Sequence, residues 1–460
     1  MIPQEPKSYL DSFINHELNL SGLSSGHFTL KRIEAVLEAL GNPQRDLKCL
    51  HVAGSKGKGS TCAFAASILR EAGYKVGLYT SPHLKDVNER IRVLCSESAS
   101  GDGDFLFPDC ISDENLGKVF EEIKPVLEKF RNTQENGLLT YYEVLTAAAF
   151  YYFRQERIDC AVLETGLGGR LDATNVVASL VCAITPISLE HTQILGNTIE
   201  TIAKEKAAII KTNRPMVIIA PQEQEALKVI VEQCQKQSSH YLCVGREIDA
   251  RLVKQDFSGL HFQVRTPQNE YNLRTTLLGS SQAMNAATAV GMIEALEPYG
   301  IKVSTQAVEK GIAKTTWPGR CEVISQRPYI ILDCAHNPAS AEQLTKTIRE
   351  LFPTQNVRLV FGVSQDKDRA GICRHLNEIA QEVVLTKADH PRSVELSVKE
   401  MEGYFPGKHL SVTKNVEEAM DTALQNIANS DVVLVAGSIF LVGQAREYLL
   451  GRKYATPRFC

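Results

Sequence analysis

His51-Val-Ala-Gly-Ser-Lys-Gly-Lys-Gly-Ser-Thr61 follows a short apolar run at 47–52 and leads into a helical pattern from Ser60 to Glu71, closed by Gly73. Strand, glycine-rich turn and helix, in that order, are the unit from which open α/β sheets are assembled. Glycines let backbone N–H groups turn inward, and a helix N-terminus favours anions, so the stretch predicts a phosphate cradle. Lys58 would bring a point charge to the terminal phosphate of a nucleotide. Gly54, Ser55, Lys56, Gly57, Lys58, Gly59 and Ser60 are the candidate nucleotide-binding residues.

The spacing departs from the usual P-loop twice. Val52 stands where the first glycine belongs, and Gly59 replaces the hydroxyl that ordinarily follows the lysine. A ligand-free glycine turn is the plain alternative; two lysines and the following Ser60-Thr61 argue against it. A second glycine cluster, Gly166-Leu-Gly168-Gly169, makes a poor dinucleotide fingerprint because Leu171 fills the third glycine position.

Outward from the loop, apolar runs at 76–79, 160–163, 180–184, 216–220, 329–332, 357–361, 383–386 and 432–435 alternate with helical patterns. That alternation predicts parallel α/β units. Residues 260–278 differ: two alternating runs flank Thr266-Pro-Gln-Asn-Glu270, which reads as an antiparallel hairpin. The periodicity breaks at Thr315-Thr-Trp-Pro-Gly-Arg320. We therefore expect an α/β chain of two domains: a P-loop ATPase domain over 1–315, with a mostly parallel sheet and the small hairpin, then a smaller Rossmann-like domain over 316–460. The Ser-, Gly- and Asp-rich stretch 95–113 reads as an acidic insertion.

Composition narrows the function classes. At 460 residues, 43% hydrophobic and 23% charged, the chain is that of a well-packed globular protein. A net charge of −4 offers no electrostatic footprint for nucleic acid or anionic membrane. No run approaches the roughly 18 apolar residues of a membrane span, and the N-terminus lacks a signal-peptide core. The twelve cysteines form no CxxC pair, and several (Cys160, Cys182, Cys334) sit in or beside strand-like runs. Reduced, structural thiols and a cytoplasmic location are the expectation.

Lys206 is the most telling single residue. The helix carrying it is expected to begin at Asn197-Thr-Ile-Glu200, a cap with an acidic residue three positions on. At about 100° per residue, Ile199, Ile202, Ala203, Ile209 and Ile210 share one apolar stripe with Lys206 in its middle, whereas Lys204 and Lys211 point towards solvent. An ammonium on a core face must either snorkel to the surface or be paired.

These pieces together resemble one family. Gly54–Ser60, Tyr79-Thr-Ser-Pro-His83, Glu164-Thr-Gly-Leu-Gly-Gly-Arg-Leu-Asp-Ala-Thr-Asn175, Leu189-Glu-His-Thr192, Ala203-Lys-Glu-Lys-Ala-Ala-Ile-Ile-Lys211, Trp317-Pro-Gly-Arg320 and Asp333-Cys-Ala-His-Asn-Pro338 stand in the order found in folylpolyglutamate synthase/dihydrofolate synthase, a family of Mur-type ligases. The resemblance runs from about Leu47 to Gly443. It implies an ATP-dependent ligase that phosphorylates a substrate carboxylate and lets the amine of glutamate attack the acyl phosphate. A carboxylate is a poor electrophile, so installing a leaving group and neutralising charge is a physical necessity.

The resemblance also assigns roles. It implies that Ser81, Glu164 and His191 bind magnesium, and that Lys206 is carbamylated and faces a second magnesium; a monovalent cation is a further candidate. Asn285, Arg320 and Asp333 match nucleotide contacts, with Arg320 reaching the phosphates when the domains close. His336 is placed near the incoming glutamate and Ser438, after Gly437, in its site. Lys58, Lys206 and His336 are thus the catalytic candidates. The implied partners are ATP, L-glutamate and dihydropteroate or a reduced folate, with no nucleic acid or membrane, and the implied state is a monomer. A cell-wall ligase of the same superfamily would carry a nucleotide-sugar domain before the loop, and about fifty residues are too few for one; Leu20-Ser-Gly-Leu-Ser-Ser-Gly26 and a helix at 30–40 read instead as a substrate lip. From another class, a P-loop kinase or a nucleotide-gated binding protein would release ADP without forming an amide.

Overall fold

The computed structural model describes residues 6–18, 25–96, 106–131, 137–213 and 215–452. Residues 20–24 of the expected substrate lip and residues 97–105 of the acidic insertion lie outside these; the expected helix at 30–40 is present as Lys31–Ala39. The chain divides into two compact units. The first takes the described residues up to Val253 with His261–Thr275 and Gln282–Thr315; the second takes Lys254–Leu260, Thr276–Ser281 and the described residues from Thr316 onward.

The first unit is built on β1 (Cys49–Ala53), β2 (Val76–Tyr79), β3 (Ile91–Leu94), β4 (Cys160–Glu164), β5 (Val181–Ile184), β6 (Met216–Ile219) and β7 (Tyr241–Cys243) in the order β3-β2-β4-β1-β5-β6-β7. Every pairing is parallel except β2 with the edge strand β3. All five residues of both β1 and β4 are buried, as expected of strands covered on both faces. One face packs the apolar sides of the helices Lys31–Ala39, Asp113–Arg131 and Tyr141–Gln155. The same face, over β5 and β6, packs those of Ile199–Ala207 and Gln224–Lys236, while Gly291 of the helix Ser280–Glu294 lies against Ile218 on the opposite face. The expected hairpin is present as β9 (Gly259–Arg265) and β10 (Glu270–Thr275), and a strand the sequence did not signal, β8 (Asp249–Asp256), extends it to three. β8 is exposed along most of its length, so it lacks the in–out alternation by which β10 was legible.

In the second unit β11 (Glu322–Gln326), β12 (Tyr329–Asp333), β13 (Val357–Phe361), β14 (Ala380–Leu385), β15 (His409–Val412) and β16 (Val432–Ala436) are ordered β11-β12-β16-β13-β14-β15, with β11 alone antiparallel. Phe257 belongs here: its ring stacks on Tyr329 at 4.8 Å and meets Phe352 at 5.0 Å. All eleven described cysteines are free thiols and nine are buried. Among the described residues no helix is long and apolar enough to cross a membrane.

Candidate active site

β1 lies between β4 and β5, the two strands that follow it later in the chain, so their C-terminal loops meet beside the glycine loop. That is where open α/β sheets bind ligands. The helix starts at Lys58, two residues earlier than the sequence pattern suggests, with Gly57 as its cap at φ +80°. A β-carbon at Gly57 would sit 2.3 Å from Oδ1 of Asn285, so the loop reaches this shape only with glycine, and Asn285 is brought against it. The N–H groups of Ser55 and Lys56 do not face a ligand: both donate to the carbonyl of Pro186, at 3.0 and 3.2 Å. The Ser55 hydroxyl donates to the Ser188 carbonyl. The N–H groups without partners inside a helix are those of its first turn, here Lys58, Gly59 and Ser60.

Lys58 Nζ lies 3.8 Å from Oε1 of Glu164, which is 5% exposed at the end of β4. Oε2 of Glu164 accepts the Ser81 N–H at 3.2 Å. His191 caps a short helix, Thr192–Leu195, with left-handed backbone at φ +46°. Among the described residues no three His, Cys, Asp or Glu side chains are gathered so as to hold a metal by themselves.

Lys206 is 1% exposed. It does not snorkel: its ammonium donates to the Gly54 carbonyl and to Oε1 of Glu190, both at 2.8 Å. The helix spans Ile199–Ala207 and is capped by Thr198 and Thr201 rather than Asn197 and Glu200, a shift of one residue. Lys204 is exposed, but Lys211 does not point to solvent; it donates to the carbonyls of Asn175 and Val177, because the helix has ended before it. The Lys206–Glu190 pair is unequal. Burial alone would push the Glu190 carboxyl up, but Lys206, Lys58 and His191 pull it down to about 2. Burial pulls the Lys206 ammonium below its ordinary range, and Glu190 opposes this only in part. The Lys206 ammonium therefore gives up its proton more readily than an ordinary lysine does.

Behind this cluster Asp172 fixes the glycine loop after β4. Its Oδ2 accepts the N–H groups of Gly166 and Leu167 at 2.8 and 2.9 Å, and its Oδ1 those of the Thr174 N–H and hydroxyl. Glu190 and Asp172 both lie within the motifs Leu189–Thr192 and Glu164–Asn175, where little local sets either apart as functional. An acidic residue beside His191 at a strand end was the available signal for Glu190.

In the second unit Asp333 ends β12, with Oδ2 accepting the Cys321 N–H and Oδ1 the Ala335 N–H, both at 2.8 Å. Burial raises its carboxyl, and Arg320 opposes the rise. His336 Nδ1 lies 2.8 Å from the Cys334 carbonyl. A carbonyl only accepts, so Nδ1 carries the proton and Nε2 is left basic in the neutral ring. Ser438, 3% exposed, caps the helix Ile439–Gly451 by accepting the Phe440 N–H at 3.2 Å. His390 stacks on Phe440 with centroids 3.4 Å apart. Asp366 is shared by Lys367 and Arg392, at 3.0 and 2.7 Å.

Comparison with known proteins agrees with this architecture. The Mur ligase middle domain matches residues 117–293 and the Mur ligase glutamate ligase domain matches 319–439. The chain is 35% identical to the dihydrofolate synthase/folylpolyglutamate synthase of Bacillus subtilis, over 91% of this chain and 94% of that protein. It is 33% identical to the Escherichia coli protein of the same name, over 97% and 95%. Among solved structures, E. coli FolC in complex with DHPP and ADP superposes with a TM-score of 0.82 at 31% identity, covering 98% of this chain and 99% of that one. Mycobacterium tuberculosis folylpolyglutamate synthase complexed with ADP and AMPPCP gives 0.82 at 29%, covering 92% and 96%. By sequence, fold and domain content, this chain belongs to the folylpolyglutamate synthase/dihydrofolate synthase family of Mur ligases.

Proposed function

We propose that this chain is an ATP-dependent ligase that joins L-glutamate to the carboxylate of dihydropteroate, of a reduced folate, or of both, giving dihydrofolate and folylpolyglutamates. The observation that carries the reading is the buried Lys206 ammonium, held between the phosphate-loop carbonyl of Gly54 and Glu190 with Lys58 and Glu164 nearby. A generic ATPase has no use for a second, desolvated amine at that place.

ATP binds along Gly54–Ser60, its phosphates on the first-turn N–H groups and on Lys58, with Asn285 bordering the loop. The ATP-binding part is 1–315; the part from 316 contributes Arg320 and Asp333 to the nucleotide and His336 and Ser438 to glutamate. The substrate carboxylate attacks the γ-phosphorus, ADP leaves, and the amine of glutamate attacks the acyl carbon and expels phosphate. Nε2 of His336 is the base available for the amine proton. Magnesium takes one or two carboxylates along with waters and phosphate oxygens, which suits Ser81, Glu164 and His191 as scattered single ligands. When bound it neutralises charge developing on the transferred phosphoryl group. Carbon dioxide added to the neutral amine of Lys206, with loss of a proton, would make a carbamate whose oxygens could hold the metal. The enzyme acts as a monomer in the cytoplasm.

Incubation with ATP, magnesium, glutamate and either dihydropteroate or a reduced folate tests the reading. Amide product matched by ADP and phosphate is expected; ADP release that needs neither glutamate nor the pterin acid overturns it. Lys206→Ala with full activity in the absence of carbon dioxide and acetate would remove the carbamate from the mechanism.

A further inference from the structure

The phosphate loop rests on a buried histidine that the mechanism above does not use. His51 lies in the middle of β1, 0% exposed, three residues before Gly54. An apolar side chain is the cheaper occupant of a central parallel strand, since a buried polar group must recover its lost hydration. His51 does so through one contact: Nε2 lies 2.8 Å from the Thr174 hydroxyl oxygen. Its Nδ1 has no partner among the described residues.

Counting protons fixes the direction of this chain of contacts. Asp172 already receives three backbone N–H groups, from Gly166, Leu167 and Thr174, and the Thr174 hydroxyl oxygen lies 2.5 Å from its Oδ1. A carboxylate so surrounded accepts only, so the one hydroxyl proton of Thr174 goes to Asp172. The hydroxyl oxygen must then accept from His51, which places the imidazole proton on Nε2. The opposite order would leave an N–H at Nδ1 buried without an acceptor, a rarer defect than a bare lone pair. Burial, with Lys211 assisting, keeps the ring neutral, its pKa lowered to about 3.

We propose that His51 is a positioning residue for phosphoryl transfer: through Thr174 and Asp172 it locks the 166–167 turn and so sets the angle at which Glu164, two residues earlier, presents its carboxylate. The loop is tied to β1 from the other side as well, where the Thr165 N–H donates to the Val52 carbonyl. The proposal rests on the ligase reading for its kinetic consequence and on the fold alone for its tautomer.

Two measurements test it. In the 15N-labelled wild-type protein, His51 should show its proton on Nε2 from neutral pH down to mild acid; a proton on Nδ1 sinks the proposal whatever the activity. In steady-state ligation, His51→Leu should lower kcat about 10- to 100-fold with the KM for ATP moved less than about threefold, and raise the magnesium concentration needed for half-maximal rate. The amide of His51→Gln reaches the Nε2 position and should restore most of the rate, whereas His51→Asn should not. Thr174→Val should reproduce the His51→Leu defect, and the double variant should be little worse than either. A purely structural histidine would instead give rate losses that follow the folded fraction at each temperature, with an unchanged magnesium requirement. If His51→Leu fails to fold, Thr174→Val and the tautomer decide. Wild-type protein that makes no amide overturns the ligase reading and leaves the tautomer as the judge of the network.

Discussion

Lys206 Nζ donates a 2.8 Å hydrogen bond to the Gly54 carbonyl, tying a helix to the first glycine of the phosphate loop across 152 positions of sequence. The loop's shape and the chemical state of one lysine are therefore coupled directly.

Glu190 is the second acceptor of the same ammonium. Removing Glu190 leaves a buried ammonium with only a carbonyl for a partner. Glu190→Ala should cost about 3 kcal/mol in urea unfolding, and adding Lys206→Met should recover most of it. A single-variant loss under about 1 kcal/mol would contradict the pairing as drawn.

Gly57→Ala meets both a left-handed backbone and the Asn285 side chain. Strain of about 1–2 kcal/mol and a displaced Asn285 should raise the KM for ATP at least about tenfold. Gly73→Ala is the control: its φ is +92°, yet nothing lies within 4 Å of the added carbon. It should lose stability and leave the KM for ATP unchanged.

Asp366 makes acid stability testable. Burial pushes its carboxyl up, but Lys367 and Arg392 outweigh this and hold it at about 2, below the ordinary 3.8. As pH falls the unfolded chain takes this proton first, so the stabilisation is present above about pH 4 and is lost on the way down to about pH 2. Asp366→Asn should be destabilised by about 1 kcal/mol at pH 7, after allowing for solvent screening, and should lose less than the wild type on acidification. Calorimetry across that window is the check.

His336→Ala should separate the two half-reactions. With Nε2 absent, amide formation should fall about 10²- to 10⁴-fold while the KM for ATP stays near that of the wild type. Equal loss of acyl phosphate formation, trapped with hydroxylamine, would place His336 elsewhere in the mechanism.

The inner strands of the two larger sheets and the loop between β1 and the helix from Lys58 were legible because buried parallel strands are short continuous apolar runs and phosphate loops need glycine; the edge strands β3, β7, β11 and β15 were not. Lys206 was legible as a lysine on a core face, because an ammonium on an apolar stripe stands out, but the stripe leaves snorkelling and burial both open. Its partner was not: Glu190 comes from a loop 16 positions away, and helical periodicity carries no information about loops. The use of Ser55 and Lys56 N–H groups by Pro186 was likewise invisible, since backbone bonds leave no trace in side-chain identity. The grouping of Lys254–Leu260 with the second unit rests on aromatic contacts between residues distant in sequence, which no local pattern announces.

The thiols offer a use of their own. In the native protein Cys95 and Cys110 are the partly exposed ones among those described; six buried thiols belong to the first unit, and Cys321, Cys334 and Cys373 to the second. A maleimide pulse therefore reads the wild-type chain as it stands: peptides carrying these nine buried thiols gain label only when their own unit opens. The order in which the two units come apart under urea can be timed without introducing a single reporter.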